Sequence, residues 1–503
     1  MAEGTPRGVL VIYTGGTIGS KPRDPDPESP QVVVPWEELE RGHPELAILK
    51  ARGLRVLFEA IEPLDSCNVG PEQWQEIAAI IERRYSEFEG FVILHGTDTM
   101  VYTASALSFM LRELAKPVIL TGAQRSALVD VRNDASQNFI TAILLACPSF
   151  SKIAAVPEVC IYFGGLLLRG NRAVKRDTSG YEAYESPNLD PLGEVGERIV
   201  IHASRVRPLP ELGRRFNVRK NLDTNVTTIL IYPGIQETDL AKRQLAGLAA
   251  RASTRADALK AAIVMAYGSG NIPTLQEEFL TAFRDAHSNG TVIATVSQCK
   301  RGPVELGNYE TSALLLELGF IAASDITLEA ALCKLMVLLG DPDLTQEELE
   351  DTYQRALAGE QSTSVFLTRY PLKPGSVQRV GSAQASVRIP GRALEGGWQP
   401  GHVERALLRF RGTKLQSKTP VTFAVYLNLD RPEDASEDHA GFAGVFKKEP
   451  ADKTDQIVLF DVTRVLTSLV KPGGRASFTV FLNSEGATFS WESVELAIVA
   501  KET

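Results

Sequence analysis

The chain has 503 residues, more than one hydrophobic core normally supports, so we expect roughly two to four domains. Its apolar content of 44% and charged content of 23% are ordinary for a globular protein. The net charge of −9, without a basic block, makes nucleic acids and anionic membranes poor candidate partners.

The first part of the chain alternates short apolar runs with segments of helical periodicity. Val9–Tyr13, Phe91–Leu94 and Pro117–Thr121 are predicted as strands, and the first two end in the turns TGGT and HGTDT. Pro71–Tyr85 and Thr103–Leu114 have the spacing of helices. This alternation predicts a parallel sheet covered by helices on both faces, where ligands bind at the carboxyl ends of the strands. Both threonine-containing turns would lie at that edge.

A second α/β unit follows a polar stretch near Leu209–Asn221. Its predicted strands and closing helix are Thr227–Tyr232, Ala261–Ala266, Thr291–Val296 and Leu328–Leu339. These elements predict a second, smaller parallel sheet.

The last part of the chain differs from the rest. After the polar segment Gly359–Val380, Val421–Leu429 alternates apolar and other residues, which predicts an antiparallel sandwich or barrel. We therefore expect an α/β protein with a C-terminal all-β domain. The predicted boundaries are 1–208 for the N-terminal α/β domain, 209–224 for a linker, 225–361 for the C-terminal α/β domain, 362–381 for a second linker and 382–503 for an accessory β-sandwich domain.

Cysteines and the N-terminal residues bear on compartment and metal binding. The five cysteines are widely spaced without a CxxC pair and the six histidines are scattered, which argues against a disulfide framework and a zinc site. The start, MAEGTPRGVLVIYTGG, has no signal-peptide cleavage site, and no apolar stretch is long enough to cross a membrane. We expect a cytoplasmic protein without a metal.

Two short strings supply hydroxyl groups at the predicted ligand edge. In Thr14–Thr17 two glycines permit a tight turn and close approach of the backbone to a ligand. His95–Thr99 adds a second hydroxyl and a carboxylate. A threonine is a weak nucleophile that needs a base, and a lysine oriented by a carboxylate, such as Lys175, can serve. Taken singly, each string also fits a plain turn, and Lys175 fits a solvated side chain.

Several longer strings occur in a fixed order along the chain. They are YTGGTIG at Tyr13–Gly19, LDSCNV at Leu64–Val69, HGTDTMVYTASALSFML at His95–Leu111, PVILTGAQ at Pro117–Gln124, RGNRAVK at Arg169–Lys175, SPNLDPLG at Ser186–Gly193 and YPGI at Tyr232–Ile235. From about Val9 to about Gln361, the chain resembles the L-asparaginase family, nearest to cytoplasmic type I bacterial enzymes and their mammalian relatives. The resemblance implies the two-domain asparaginase fold, a homodimer or homotetramer, L-asparagine as a small-molecule substrate and no cofactor.

The resemblance also implies roles for individual residues in the hydrolysis of L-asparagine to L-aspartate and ammonia. Thr17 matches the nucleophile that forms a threonyl ester. Proton handling is assigned to Thr97, Asp98 and Lys175. The positions matching substrate-binding residues are Gly16, Asp65, Ser66 and Asn271. Asn271 matches a residue that reaches the active site across a dimer contact.

One segment departs from the family pattern. Many members carry a tyrosine in the loop after the first motif, where it helps to activate the first threonine, but SKPRDPDPESPQVVVP contains none. Its proline- and aspartate-rich part, Lys21–Pro30, predicts an irregular, mobile loop. Another residue must therefore activate Thr17, or turnover depends more heavily on Asp98 and Lys175.

The tail after about Ser382 has no asparaginase counterpart. Its segments FAVYLNL, AGFAGVF and ASFTVFLN resemble the C-terminal β-domain of plant-type polyphenol oxidases and carry no catalytic residues.

Two alternative functions remain within the same fold. One is the amidotransferase subunit that supplies ammonia for transamidation of glutamyl-tRNA, which carries an extra domain ahead of the first motif. Here only about eight residues precede the first strand. The other is a binding protein on a catalytically weakened asparaginase core, which the missing tyrosine favours and the intact Thr17, Thr97, Asp98 and Lys175 oppose.

Overall fold

Most of the chain has a defined position in the computed structural model. The described residues are 8–24, 29–129, 131–211, 213–235, 259–304, 306, 310–362, 370–372, 375–378, 385–389, 403–416, 421–429, 431, 434–436, 438–448, 456–469, 477–482, 487–491 and 493–500. The chain divides into two compact units. The first comprises 1–305, 321–353 and 357–362, and the second comprises 306–320, 354–356 and 363–503.

The first unit is built around an eight-stranded sheet. In spatial order its strands are Arg55–Leu64, Gly8–Gly15, Gly90–Leu94, Val118–Thr121, Val159–Phe163, Leu166–Arg169, Gly193–Val195 and Ile199–Ile201. The first five are parallel, as the alternation of strands and helices predicts. The carboxyl ends of Gly8–Gly15 and Gly90–Leu94 are therefore neighbours at one edge.

The other three strands of this sheet are antiparallel, so the sheet is mixed rather than wholly parallel as predicted. The change occurs at Gly164 and Gly165, whose φ angles are 57° and 88°. Positive φ at both central residues is the requirement of a two-residue type I′ turn, which glycines meet without strain. The chain therefore returns along Val159–Phe163 as a hairpin instead of crossing over through a helix.

Alternate side chains of the central strand feed two separate cores. Leu10 and Ile12 belong to one buried cluster, and Val9, Val11 and Tyr13 belong to another. Because successive strand residues point to opposite faces, a continuous apolar run can bury both faces of a sheet. The strand that ends in TGGT is thus fixed from both sides.

The helices of the first unit cover the sheets. They are Trp36–Arg41, Glu45–Ala51, Pro71–Arg84, Met100–Met110, Ala135–Ala146, Pro148–Ser151, Glu277–Ser288, Leu328–Leu339 and Gln346–Tyr353. The helix predicted at Thr103–Leu114 begins earlier and ends at Met110, because Leu111 is extended and Leu111–Arg112 pairs with Asn217–Val218. Of the described helices, none is long and apolar enough to cross a membrane.

A second, four-stranded sheet follows in the chain. Its order is Val226–Leu230, Ala261–Ala266, Val292–Ser297 and Phe320–Ala322, and the first three strands are parallel. Ile263 belongs to the same buried cluster as Leu10 and Leu107, so the two α/β sheets share one core. The two-domain α/β fold predicted from the sequence is confirmed.

The second unit contains a pair of antiparallel sheets. One consists of Tyr370–Leu372, Ser493–Ala500, Val403–Gln416, Thr488–Trp491, Gly375–Gln378 and Gln456–Asp461, and the other of Ala385–Ile389, Phe478–Leu482, Val421–Leu427 and Phe442–Lys448. Phe410 and Trp491 of the first share a buried cluster with Val425 and Val480 of the second, as in a β-sandwich. Helices Glu310–Glu317 and Thr463–Leu469 complete the unit.

The predicted linker 362–381 needs correction. Tyr370–Leu372 and Gly375–Gln378 pair with Ser493–Ala500 and Thr488–Trp491, so they are strands of the sandwich rather than connecting chain. They are short edge strands, and their Pro and Gly content hid them in the sequence. The remaining predicted linker residues after Ser362 lie outside the described residues. The other predicted boundaries stay a prediction.

Candidate active site

The turn Thr14–Thr17 follows the central strand at the carboxyl edge of the sheet. Gly15 and Gly16 have φ angles of 102° and 83°, and the Gly16 N–H donates to the Leu64 carbonyl at 3.1 Å. A Cβ atom on Gly16 would lie 2.3 Å from the Cα atom of Gly96, so only glycine fits there. The TGGT turn is therefore in direct contact with the turn that precedes Thr97.

Thr17 begins a short 3-10 helix, Thr17–Gly19, and is partly buried. Its hydroxyl has no hydrogen-bond partner among the described residues. Tyr13, by contrast, is fully buried and donates from its hydroxyl to the Val34 carbonyl at 2.8 Å. Burial raises the pKa of that phenol. Tyr13 thus holds the following hairpin in place.

That hairpin corrects part of the prediction for Lys21–Pro30. Ser20–Pro22 pairs with Gln31–Val33, and Lys21 Nζ lies 2.5 Å from Glu38 Oε1. The beginning of the proline-rich segment is therefore a strand, because the alternating run before Pro35 supplies a partner for it. Residues 25–28 of the segment lie outside the described residues.

Thr97, Asp98 and Lys175 form one hydrogen-bonded cluster, as the sequence predicts. Lys175 Nζ donates to Thr97 Oγ1 at 2.9 Å and to Asp98 Oδ1 at 2.7 Å. The lysine side chain is 18% exposed, which excludes the alternative of a fully solvated lysine. Because an ammonium group can only donate, the hydrogen of the Thr97 hydroxyl points away from Lys175.

Lys175 is brought to this cluster by a two-stranded ladder. Val174–Lys175 pairs with Tyr184–Glu185, and the hydroxyl of Tyr184 donates to the Thr97 carbonyl. Tyr184 was missed by sequence reasoning, since a tyrosine 87 positions away from its acceptor gives no local signal. Just before the ladder, the buried Arg172 guanidinium lies 2.8 Å from Asp325 Oδ1.

Asp65 and Ser66 flank the same two turns. Ser66 is buried, and its hydroxyl oxygen accepts the Asp98 N–H at 3.2 Å. A Cβ atom on Gly96 would lie 2.6 Å from Ser66 Cβ, so the two turns and Ser66 are packed together. Asp65 is exposed, and its carboxylate accepts the Cys67 N–H at 3.2 Å.

His95 lies behind the second turn in a buried hydrogen-bond chain. Its Nδ1 is 2.7 Å from the Gly96 carbonyl oxygen, and its Nε2 is 2.9 Å from Thr103 Oγ1. Trp74 Nε1 donates to the same Oγ1 at 3.0 Å. Burial lowers the pKa of His95 to about 4. The imidazole is therefore neutral near pH 7.

The remaining predicted residue, Asn271, lies on the other α/β sheet. It follows strand Ala261–Ala266 in a turn closed by the Tyr267 N–H, which donates to the Asn271 carbonyl at 2.9 Å. The structure of one chain therefore brings together Gly16, Thr17, Asp65 and Ser66 with the lysine cluster, and it holds Asn271 in a separate element.

Comparison with known proteins agrees with this architecture. The Asparaginase, N-terminal family model matches residues 8–207, and the Glutaminase/Asparaginase C-terminal domain model matches residues 225–352. L-asparaginase 1 of Escherichia coli is 36% identical over 362 residues, 70% of this chain and 98% of that protein. The human 60 kDa lysophospholipase is 34% identical over 75% of this chain and 65% of its own length.

A solved structure supports the same conclusion. L-asparaginase I from Vibrio cholerae has a TM-score of 0.60 at 33% identity, covering 71% of this chain and 99% of its own. The similarity therefore extends over nearly the full length of bacterial L-asparaginases, in sequence and in fold. The chain belongs to the asparaginase family of hydrolases.

Proposed function

We propose that the protein hydrolyses L-asparagine to L-aspartate and ammonia through a threonyl ester on Thr17. The observation that carries the proposal is the Thr97–Asp98–Lys175 cluster, built on a turn in contact with the turn that presents Thr17. Amide hydrolysis needs a nucleophile, a proton path to the leaving amine and donors for the oxyanion. Each of these has a candidate at this edge of the sheet.

Thr17 is the proposed nucleophile because its hydroxyl is unengaged within the described residues and follows a glycine turn that admits a ligand. Attack of Thr17 Oγ1 on the amide carbon forms a tetrahedral adduct. Its collapse breaks the C–N bond, releases ammonia and leaves an ester. Water then attacks the ester carbon, releasing aspartate and restoring the Thr17 hydroxyl.

Proton transfer is assigned to Thr97 with Lys175 and Asp98. The Thr97 oxygen accepts from Lys175, so its own hydrogen is available to a bound ligand or water. Thr97 can pass that proton to the departing nitrogen while taking one from Lys175. Asp98 holds the ammonium group in position at 2.7 Å. This path is the proposed substitute for the tyrosine that the hairpin lacks.

Oxyanion and substrate contacts are assigned to the same turns. The Thr97 N–H has no acceptor among the described residues, whereas the Gly16 N–H is occupied by Leu64. Thr97 is therefore the proposed oxyanion donor. The exposed Asp65 carboxylate suits the α-ammonium group of asparagine, and Ser66 suits its α-carboxylate. We place Asn271 in the site of a neighbouring subunit of a homodimer or homotetramer.

The test measures ammonia release from L-asparagine, L-glutamine and buffer alone, with a hydroxylamine trap for the ester. We expect ammonia from asparagine and an aspartyl hydroxamate that Thr17→Ala abolishes. Release from neither amide would reject hydrolysis and favour a binding protein on the same fold. Equal release from glutamine would favour an ammonia-supplying amidotransferase, the activity named for a Metallosphaera sedula relative that is 32% identical.

A further inference from the structure

The imidazole of His95 has no part in the proposed chemistry, although both of its nitrogens are engaged. Nδ1 faces the Gly96 carbonyl oxygen at 2.7 Å, and Nε2 faces Thr103 Oγ1 at 2.9 Å. Trp74 Nε1 reaches the same hydroxyl at 3.0 Å. His95 and Thr103 are fully buried and Trp74 is 4% exposed. Buried polar groups of this kind must satisfy one another.

Donors and acceptors in this chain can be assigned from its two ends. A carbonyl oxygen only accepts, so His95 Nδ1 carries the hydrogen that points to Gly96. The neutral ring then has no hydrogen on Nε2, which accepts the hydroxyl hydrogen of Thr103. Thr103 in turn accepts from the indole of Trp74, which can only donate. The four groups form one directed chain that fixes the tautomer of His95.

The chain ends on the peptide that joins Gly96 to Thr97. In a planar trans peptide the N–H points opposite to the carbonyl, so a fixed Gly96 oxygen fixes the direction of the Thr97 N–H. Gly96 is also wedged between Gly16 and Ser66, where no Cβ atom would fit. Its carbonyl therefore faces the buried imidazole, and the Thr97 N–H faces away from it without an acceptor among the described residues.

We propose that Trp74, Thr103 and His95 are positioning residues, a relay that aims the Thr97 N–H at the oxyanion of the bound substrate. The inference rests on the proposed function, in which Thr97 supplies that donor. None of the three side chains touches the substrate; each acts through the Gly96–Thr97 peptide. The relay also ties the turn to two helices, Pro71–Arg84 and Met100–Met110, so the donor is held by the scaffold.

The first test removes the middle hydroxyl. Thr103→Val keeps the shape of the side chain and breaks both hydrogen bonds, and we expect kcat to fall by about ten- to a hundredfold, since a full oxyanion donor is worth more. KM should stay within about threefold because the binding groups are untouched. Thr103→Ser should recover most of kcat. The matched control is Ser105→Ala on the same helix, whose buried hydroxyl has no hydrogen-bond partner among the described residues.

A second pair of variants separates positioning from packing. His95→Asn retains an N–H donor near the place of Nδ1, and His95→Leu fills similar space without one. We expect the asparagine variant to keep at least about tenfold more of kcat than the leucine variant at equal thermal stability. Equal loss in both, or a wild-type kcat in Thr103→Val, would overturn the relay.

A spectroscopic readout makes the inference testable apart from activity. Nitrogen-15 spectra of histidine-labelled protein, assigned with His95→Asn, should show neutral His95 with its hydrogen on Nδ1 at about pH 6, and its Nε2 signal should shift in Thr103→Val. A hydrogen on Nε2 would overturn the relay whatever the enzyme hydrolyses. Absence of ammonia release from asparagine in the wild type, with the expected spectrum, would instead reject the proposed function.

Discussion

The most demanding structural prediction concerns the buried ion pair between Lys334 and Glu360. Both side chains are 0% exposed, with Lys334 Nζ 2.5 Å from Glu360 Oε1 and 2.6 Å from the Tyr353 carbonyl oxygen. The carboxylate also accepts the N–H groups of Leu357 and Ala358 at 3.0 and 2.7 Å. The pair therefore anchors the last segment of the asparaginase core.

Lys334→Met should destabilise the protein strongly because it leaves a buried carboxylate without its cation. Losing one partner of a buried pair costs about 3–5 kcal/mol, and the two remaining N–H donors to Glu360 favour the lower end, about 3 kcal/mol. Chemical unfolding followed by tryptophan fluorescence measures this difference. The control is Lys220→Met, which breaks an exposed pair with Glu82 and should cost only about 0.5 kcal/mol.

The same variant should respond to pH in a defined direction. Burial alone would raise the pKa of the Glu360 carboxyl, but Lys334 and the backbone donors outweigh it and hold that pKa below its ordinary value. A depressed pKa contributes stability above the unfolded pKa that is lost as the pH falls through the folded one. Without Lys334 the pKa of Glu360 rises, and protonation removes the buried charge. The stability difference between wild type and Lys334→Met should therefore shrink from about pH 8 to about pH 5.

Two results would refute this reasoning. One is a Lys334→Met variant no less stable than Lys220→Met. The other is a double variant, Lys334→Met with Glu360→Gln, that is as unstable as the single one, since neutralising the orphaned carboxylate should restore most of the loss.

Four further predictions follow from the site and the units. Thr17→Ala should abolish ammonia release with an unchanged melting temperature, and substantial residual activity would exclude Thr17 as the nucleophile. Lys175→Met should lower kcat by about a hundredfold or more, while Arg176→Met, the neighbouring control, should not. Steady-state kcat/KM should favour asparagine over glutamine by about ten- to two-hundredfold, because one methylene must fit between fixed contacts. A chain ending at Ser362 should retain activity within about threefold, whereas one ending at Tyr353, without Glu360, should lose it with its fold.

Local features of the sequence were sufficient for much of the fold. The apolar run Val9–Tyr13 and the glycines after it predicted a buried strand that ends in a tight turn, since period and turn chemistry are properties of neighbouring residues. The same holds for Ala261–Ala266 and for the alternating strand at Val421. Even the hairpin at Gly164 and Gly165 has a local signal, a glycine pair between apolar runs, which the parallel-sheet prediction passed over.

The long-range contacts could be decided only by the tertiary structure. Lys175 meets Thr97 across 78 positions, and Glu360 must return to the core to meet Lys334. Trp74 and His95 share the hydroxyl of Thr103 only because two helices pack behind one turn. Periodicity states which face of an element is buried, but it does not state which other element covers that face. Those choices depend on the packing of the whole core, and they determine the tautomer of His95 and the direction of the Thr97 N–H.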